Sequence, residues 1–238
     1  MVEPSARFEE IKIPLHESVR GVTEVSAILG VPQWWPTGQR VGVIFAHGLG
    51  RDLSDPVLEF LQSALTERRC LTLRFNFPFG ETGKKRPDPP EMLQRTFRAA
   101  IATLARDPNA APARLFLGGK GLGGAVAANL AGDRARVDGA FFMGFPLHPP
   151  GKPELVSPEQ LFRVISPMLF LQGKRDRQCD LDLLRQTLTR VGAPTTLQVL
   201  EEADQHFKVL KKSHRTEEEV RQELLAYIYA WVQKIADA

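Results

Sequence analysis

The chain has 238 residues, of which 43% are hydrophobic and 25% are charged. This is the composition of an ordinary globular protein and excludes a disordered or fibrous chain. The 31 basic and 28 acidic residues leave a net charge of +3, well short of the strongly basic surface that nucleic-acid binding requires. We therefore expect a single globular domain over residues 1–238, with no nucleic-acid partner.

Cysteine usage and the amino-terminal residues indicate the compartment. Two cysteines, Cys70 and Cys179, are too few for a disulfide framework or a four-cysteine metal site, which suits a reducing environment. The opening MVEPSARFEE contains no apolar segment of the kind found in secretory signals. No apolar run approaches the roughly 18 residues that span a bilayer. We expect a cytoplasmic protein without a membrane segment or a metal.

Short apolar runs alternate with longer helical patterns along most of the chain. The predicted strands are Val41–Ala46, Cys70–Phe77, Arg114–Gly118, Gly139–Phe145, Pro167–Gln172 and Thr196–Leu200, preceded by an antiparallel ribbon of Phe8–Leu15 and Glu24–Val31. The predicted helices cover residues 55–68, 90–106, 122–132, 180–191 and 216–236. This alternation predicts an α/β fold with a mostly parallel, doubly wound sheet, in which ligands bind beyond the carboxyl ends of the strands.

A glycine-flanked turn follows the strand Val41–Ala46. It reads His47-Gly48-Leu49-Gly50. Glycine allows backbone amides to face a pocket, and this is how one half of an oxyanion hole is built. We expect the Leu49 amide to be such a donor.

The segment from Gly118 to Gly124 runs from a predicted strand directly into a predicted helix. It reads Gly118-Gly119-Lys120-Gly121-Leu122-Gly123-Gly124 and matches two templates. One is the nucleophile elbow G-x-S-x-G, with Gly121 at the serine position and the Leu122 amide as second oxyanion donor. The other is G-x-G-x-x-G, a fingerprint for a dinucleotide on a helix amino terminus.

The context of this segment favours the elbow. A dinucleotide fingerprint belongs in the first strand–helix–strand unit and is followed by an acidic residue at the end of the next strand. Here the segment lies mid-chain, and the next predicted strand ends in Met143-Gly-Phe-Pro146 without a carboxylate. A phosphate-binding P-loop also fails, because Gly121 follows Lys120 where Ser or Thr is needed.

Two further residues complete the order of a hydrolase site. Asp176 comes just after the strand Pro167–Gln172, and His206 follows the next predicted strand. The order elbow, acid, histidine is that of the α/β-hydrolases. We expect His206 to lie within reach of Asp176, directly or through water.

At these motifs the chain resembles the α/β-hydrolases of the testis-expressed protein 30 group and their dienelactone-hydrolase-like bacterial relatives. The resemblance runs from Val41 to the carboxyl terminus, and it implies an α/β-hydrolase fold and a Ser–Asp–His site for ester or acyl substrates. The segments that carry it are His47-Gly48, Arg74-Phe-Asn-Phe-Pro78, Arg86–Asp88, Gly118–Gly124, Gly144-Phe-Pro-Leu-His-Pro-Pro-Gly-Lys-Pro153 and Gly173–Asp176.

The chain departs from the family pattern at both the nucleophile and the histidine. Gly121 stands where the pattern has serine. The pattern Asp-His-x-Phe becomes Asp204-Gln205-His206-Phe207, which aligns Gln205 with the histidine and moves His206 one residue on. In addition, Arg177-Gln-Cys179 replaces the usual Pro-Phe-Gly.

Three functions remain open at this stage. The first is a protein of serine hydrolase ancestry that binds a small molecule without forming an acyl-enzyme. The second is an active hydrolase, in which His206 activates water or Gly121 is a variant of an active serine. The third is a nucleotide- or phosphate-binding protein that uses the glycine-rich loop. We expect no cofactor and a small-molecule ligand. An anionic ligand stays open, because the clustered basic residues form either a solvated surface or an anion-attracting rim. The residues expected to line the pocket are His47, Gly48, Lys120, Gln205 and His148.

Overall fold

The computed structural model describes residues 6–33, 40–106, 111–133 and 135–237. Its strands are β1 (Arg7–Val19), β2 (Val22–Val31), β3 (Val41–Ala46), β4 (Leu71–Phe75), β5 (Arg114–Lys120), β6 (Gly139–Met143), β7 (Met168–Gly173) and β8 (Thr195–Leu200). Its α-helices are α1 (Pro56–Glu67), α2 (Pro78–Glu81), α3 (Pro90–Leu104), α4 (Leu122–Gly132), α5 (Leu181–Leu188) and α6 (Glu217–Ala236). Two short 3₁₀ helices cover Pro153–Leu155 and Glu159–Arg163.

All eight of these strands form one sheet in the order β1-β2-β4-β3-β5-β6-β7-β8. The strands from β3 to β8 pair in parallel, whereas β1 pairs antiparallel with β2 and β2 pairs antiparallel with β4. The predicted fold class is therefore confirmed, including the antiparallel ribbon at the amino-terminal edge of the sheet.

The sheet is covered on both faces, which explains the continuous apolar runs of its strands. In β3, Val43 and Phe45 point into the layer that contains α1 and α6, while Ile44 and Ala46 point into the opposite layer with α3 and α4. This alternation is the two-residue period of a strand. A single strand therefore contributes to two separate clusters of buried side chains.

Two strands, β4 and β6, end earlier than predicted because of local backbone features. β4 ends at Phe75, because Phe77 already serves as the amino-terminal cap of the short helix α2. β6 ends at Met143, because Gly144 has a φ of 63° and turns the chain away from the sheet. Helix α6 starts as predicted, with reciprocal capping by Thr216 and Glu219.

The carboxyl ends of the central parallel strands meet at one edge of the sheet. His47 follows β3, Gly121 follows β5, Asp176 follows β7, and His206 lies in the loop after β8. The topology therefore brings the predicted site residues to the same edge, where ligand sites of open α/β sheets lie.

Candidate active site

Gly121 forms a sharp turn between β5 and α4. It is the only residue between the two elements, and its φ and ψ are 52° and −117°. Its N–H donates to the carbonyl oxygen of Met143 at 2.9 Å. A φ in this range favours glycine, and a Cβ built on Gly121 meets only the Gly48 Cα, at 4.0 Å. The position therefore faces open space.

The turn at Gly121 packs directly against the turn after β3. A Cβ on Gly123 would lie 2.3 Å from the carbonyl oxygen of Ala46, and one on Gly48 would lie 3.2 Å from that of Lys120. Such distances leave no room for a side chain at Gly123. The two turns thus touch through their backbones, and this contact places the peptides after Gly48 and Gly121 next to each other.

Two backbone amides at this contact have no acceptor in the part of the chain that the structure describes. Among the described residues, neither the Leu49 N–H nor the Leu122 N–H donates a hydrogen bond. Leu122 is the first residue of α4, so its N–H has no acceptor within the helix. Both amides can therefore donate a hydrogen bond to a ligand oxygen.

Lys120 is buried beside the turn and forms an ion pair with Asp55. Its Nζ lies 2.8 Å and 3.0 Å from the two carboxylate oxygens of Asp55. Asp55 also caps α1 by accepting from the Val57 and Leu58 N–H groups. Burial lowers the pKa of Lys120, and the carboxylate of Asp55 opposes this effect.

Asp176 is a buried carboxyl group with two donors. The Gln178 N–H donates to Oδ1 at 2.7 Å, and the Gln172 side-chain amide donates to Oδ2. Burial raises the pKa of Asp176 to about 6, with a smaller contribution in the same direction from Asp204 and opposing contributions from its two donors. The group is thus poised to change charge near neutral pH.

His206 lies in a loop organised by Asp204, whose side chain accepts from the N–H groups of His206 and Lys208. Among the described residues, no hydrogen bond or ion pair joins the His206 ring to Asp176 or to any other group. Burial lowers the pKa of His206, and the nearby ammonium of Lys120 acts in the same direction, while Asp204 opposes it. The ring is therefore a half-buried imidazole without a partner in the described part of the chain.

The sequence comparison decides the family. A family profile described as an alpha/beta hydrolase domain matches residues 39–233. The chain belongs to the alpha/beta hydrolase family. Its relation to the narrower testis-expressed protein 30 group stays an expectation.

Solved structures of other α/β hydrolases share this fold. An alpha-beta serine hydrolase homologue from Coxiella burnetii has a TM-score of 0.71 and 19% identity, over 92% of this chain and 97% of that chain. Dienelactone hydrolase from Anabaena variabilis has a TM-score of 0.72 and 18% identity, over 95% and 98%. An α/β serine hydrolase without a lid from Xanthomonas campestris has a TM-score of 0.70 and 19% identity, over 95% of each chain.

The other pocket residues predicted for this α/β hydrolase divide into two kinds. His47 and His148 are buried, and both ring nitrogens of each lie within hydrogen-bond distance of backbone atoms. Gln205 lies beside Gly144, where a Cβ would come within 2.9 Å of the Gln205 carbonyl oxygen. Its side-chain amide has no hydrogen-bond partner among the described residues. The two histidine rings are therefore held by backbone groups of the loops, whereas the Gln205 side chain is not held by such bonds in the described part of the chain.

Sequence reasoning missed two residues of the site, Asp55 and Gln172. Asp55 precedes Pro56 at a helix start, a pattern that signals a helix cap but not a partner for Lys120. Gln172 is fully buried and joins two site segments, since its Oε1 accepts from Phe145 N–H and its Nε2 donates to Asp176. No sequence signal identifies such a bridging amide.

Two features are absent from the described part of the chain, a cluster of metal-binding side chains and a membrane-crossing helix. It contains no group of three or more His, Cys, Asp or Glu side chains arranged to hold a metal ion. None of its helices is both long enough and apolar enough to cross a membrane.

Proposed function

We propose that this α/β hydrolase descends from serine ester or acyl hydrolases, has lost the nucleophile at Gly121, and binds a small molecule in the remaining site. The observation that carries the proposal is the backbone of Gly121. Its φ of 52° and its place between β5 and α4 are those of a residue presented above the sheet. Glycine adopts this conformation readily but has no oxygen to attack a substrate.

What remains around Gly121 supports binding more than acyl transfer. The Leu49 and Leu122 amides are unused, and the space above Gly121 is open. Without a nucleophile, a hydrolase site of this type keeps only the catalysis that its oxyanion donors and binding contacts supply, roughly 10³–10⁴-fold over water in a well-studied triad. A ligand with an oxygen between these two amides fits the arrangement.

Three other nucleophilic side chains, those of Ser54, Ser213 and Cys179, lack the partner that would activate them. The Ser54 hydroxyl donates to Asp52 and the Ser213 hydroxyl donates to Glu202, so neither is bonded to a histidine base. Cys179 is buried, and burial raises the pKa of its thiol far above neutral pH, so that the reactive thiolate is not formed. These three groups support the proposal that no acyl-enzyme forms.

An active hydrolase is the second candidate, and the free ring of His206 favours it. An unpartnered neutral imidazole can accept a proton from water. Nucleotide or phosphate binding is less favoured, because the ammonium of Lys120 is occupied by Asp55 and is not directed at a ligand.

The location of the protein in the cytoplasm and its organisation as one domain over residues 1–238 stay part of the proposal.

The deciding experiment places a serine hydroxyl at residue 121, the nucleophile position of the elbow. The unmodified chain should not be labelled by a fluorophosphonate probe and should hydrolyse p-nitrophenyl acetate barely above background. Gly121→Ser should confer labelling and raise ester hydrolysis by orders of magnitude, because the hydroxyl then faces the Leu49 and Leu122 amides. Gly192→Ser is the matched control, since Gly192 is exposed, lies away from the turn and has no atom within 4 Å of its Cβ position.

The remaining outcomes distinguish the alternatives. Labelling that appears only in Gly121→Ser combined with Gln205→His would mean that the site lost both its serine and its histidine position. Ester hydrolysis by the unmodified chain that is abolished by His206→Ala would support the water-activating candidate. Strong labelling of the unmodified chain would contradict the proposal, because another residue would then be the nucleophile.

A further inference from the structure

His47 is a buried histidine whose two ring nitrogens have different roles. The Phe77 N–H lies 3.0 Å from Nε2, and the carbonyl oxygen of Gly48 lies 2.9 Å from Nδ1. A backbone N–H can only donate, so Nε2 must be the acceptor and carry no proton. The proton of the neutral ring is then on Nδ1, where it is donated to Gly48.

His148 repeats this arrangement on the other side of the sheet edge. The Asp180 N–H lies 2.9 Å from its Nε2, and the carbonyl oxygen of Pro149 lies 2.8 Å from its Nδ1. The same reasoning assigns the proton to Nδ1. In both cases the Nδ1 partner is the next residue along the chain, whereas the Nε2 partner belongs to a different loop. Both rings are at least nine-tenths buried.

Each ring fixes one wall of the candidate site. In the trans peptide between Gly48 and Leu49, the C=O and the N–H point in opposite directions, so a carbonyl held by His47 turns the Leu49 N–H away from the ring. His148 acts on the wall that holds Asp176. Its ring accepts from the Asp180 N–H, and its backbone N–H donates to the Gln178 carbonyl at 3.0 Å, while the Gln178 N–H donates to Asp176.

We propose that His47 and His148 are a matched pair of positioning residues, each a neutral imidazole protonated at Nδ1 that ties the loop after its own strand to a neighbouring loop. His47 orients the amide of Leu49, and His148 orients the loop that carries Asp176. Their importance for a ligand rests on the proposed function, because the two walls are those of the site at Gly121. Neither ring reaches the open space above Gly121.

The surroundings of His47 favour this form. The ring packs edge-on against Phe77 and Phe79, with centroid distances of 5.1 Å to each. A Cβ on Gly80 would come within 2.8 Å of Nε2, so the ring also packs closely against the backbone of Gly80. In this position a proton on Nε2 would face the Phe77 N–H, donor against donor.

The first test observes the rings in the unmodified chain. Long-range ¹H–¹⁵N correlation spectra at pH 7 should show a protonated Nδ1 and an unprotonated Nε2 for both His47 and His148. The exposed His16 and His214 provide the reference signal of rings that are free to exchange tautomers. A proton on Nε2 of either buried ring would overturn the assignment for that ring.

The second test uses asparagine variants to remove only the Nε2 hydrogen bond, which joins two loops, and to keep the Nδ1 bond to the next residue. Asparagine can place an amide N–H near the position of Nδ1 but cannot reach the Nε2 partner. In His47→Asn, hydrogen exchange of the Phe77 amide should rise roughly five- to tenfold, while the Leu49 amide resonance should change little, because the donor to the Gly48 carbonyl is kept. In His47→Ala, which lacks both donor and acceptor, the Leu49 amide resonance should also move. In His148→Asn, hydrogen exchange of the Asp180 amide should rise by a similar factor.

Each asparagine variant is the control for the other. His47→Asn should leave the Asp180 amide unchanged, and His148→Asn should leave the Phe77 amide unchanged. Unaltered exchange of Phe77 in His47→Asn, or of Asp180 in His148→Asn, would overturn the proposed role. Neither readout needs Gly121 or catalysis, so a failure of the serine-restoration experiment is separable from a failure here.

Discussion

Lys120 and Asp55 form a buried ion pair that links the residue before Gly121 to the first turn of α1. The Lys120 side chain is 5% exposed and that of Asp55 is 0% exposed, with Nζ–O distances of 2.8 and 3.0 Å. The two residues are separated by 65 positions in the chain. The pair thus anchors the turn that shapes the candidate site to a helix from a different part of the sequence.

Replacing Lys120 alone should strongly destabilise the protein. In Lys120→Met, the carboxylate of Asp55 stays buried and loses its principal counter-charge. Arg51 cannot replace Lys120, because it lies 3.9 Å from the carboxylate and is partly exposed to solvent. Loss of one partner of a buried pair costs about 3–5 kcal/mol. Urea unfolding monitored by circular dichroism should show this loss of unfolding free energy.

The double replacement provides the control for this effect. Lys120→Met with Asp55→Asn removes both charges, while asparagine still caps α1 through its side-chain oxygen. Most of the lost unfolding free energy should return. If the double variant is as unstable as the sum of the single variants, the charges of Lys120 and Asp55 are not coupled.

Lys120→Met should also raise the pKa of His206. The ammonium of Lys120 disfavours a second positive charge nearby, and its removal favours the protonated imidazole. The shift is measurable by following the His206 ring protons in an NMR titration, with the exposed His214 as internal reference. A pKa of His206 that falls or stays constant would mean that Lys120 does not act on this ring.

Gly121→Ala should lower the unfolding free energy by roughly 1–3 kcal/mol. The added methyl group meets no atom closer than 4.0 Å, so the cost arises from the backbone conformation and not from a clash. Gly192→Ala is the control, because Gly192 is outside the positive-φ region and has free space around it. Equal stability of the two variants in urea would contradict a strained turn at residue 121.

Asp176 should titrate near pH 6 in the folded protein, against 3.8 for an ordinary aspartic acid. Between about pH 4 and about pH 6, Asp176 is protonated in the folded state and ionised in the unfolded state. The unfolding free energy therefore falls as pH rises from about 4 to about 6. The total effect is roughly 3 kcal/mol and is constant at higher pH. Carboxyl ¹³C titration of Asp176 measures it directly, and a midpoint near 4 would contradict the desolvation of this group.

Local signals in the sequence account for most of the fold. The strand Val41–Ala46 and the helix over residues 122–132 have their predicted bounds, because an apolar run and a glycine turn mark their ends. The short helix α2 was not predicted, and neither were the 3₁₀ helices. Each spans at most five residues, too few to show a helical period.

The site was only partly predictable, because its contacts depend on the three-dimensional arrangement of distant segments. Gly121 could be found from its own turn, but the pairing of Lys120 with Asp55 requires the sheet order. His206 was expected within reach of Asp176, directly or through water, and the structure shows no direct hydrogen bond between them. The loop that carries His206 bends at Glu202 and Phe207, which have φ values of 60° and 61°, and no local pattern specifies those bends.

The glycines around position 121 constrain the turn more than position 121 itself does. A Cβ on Gly119 would lie 2.2 Å from the Gly123 backbone, so this residue is required by packing alone, whatever residue 121 is. Under the proposed function, glycine and serine at residue 121 can therefore replace each other while the packing of the surrounding glycines persists.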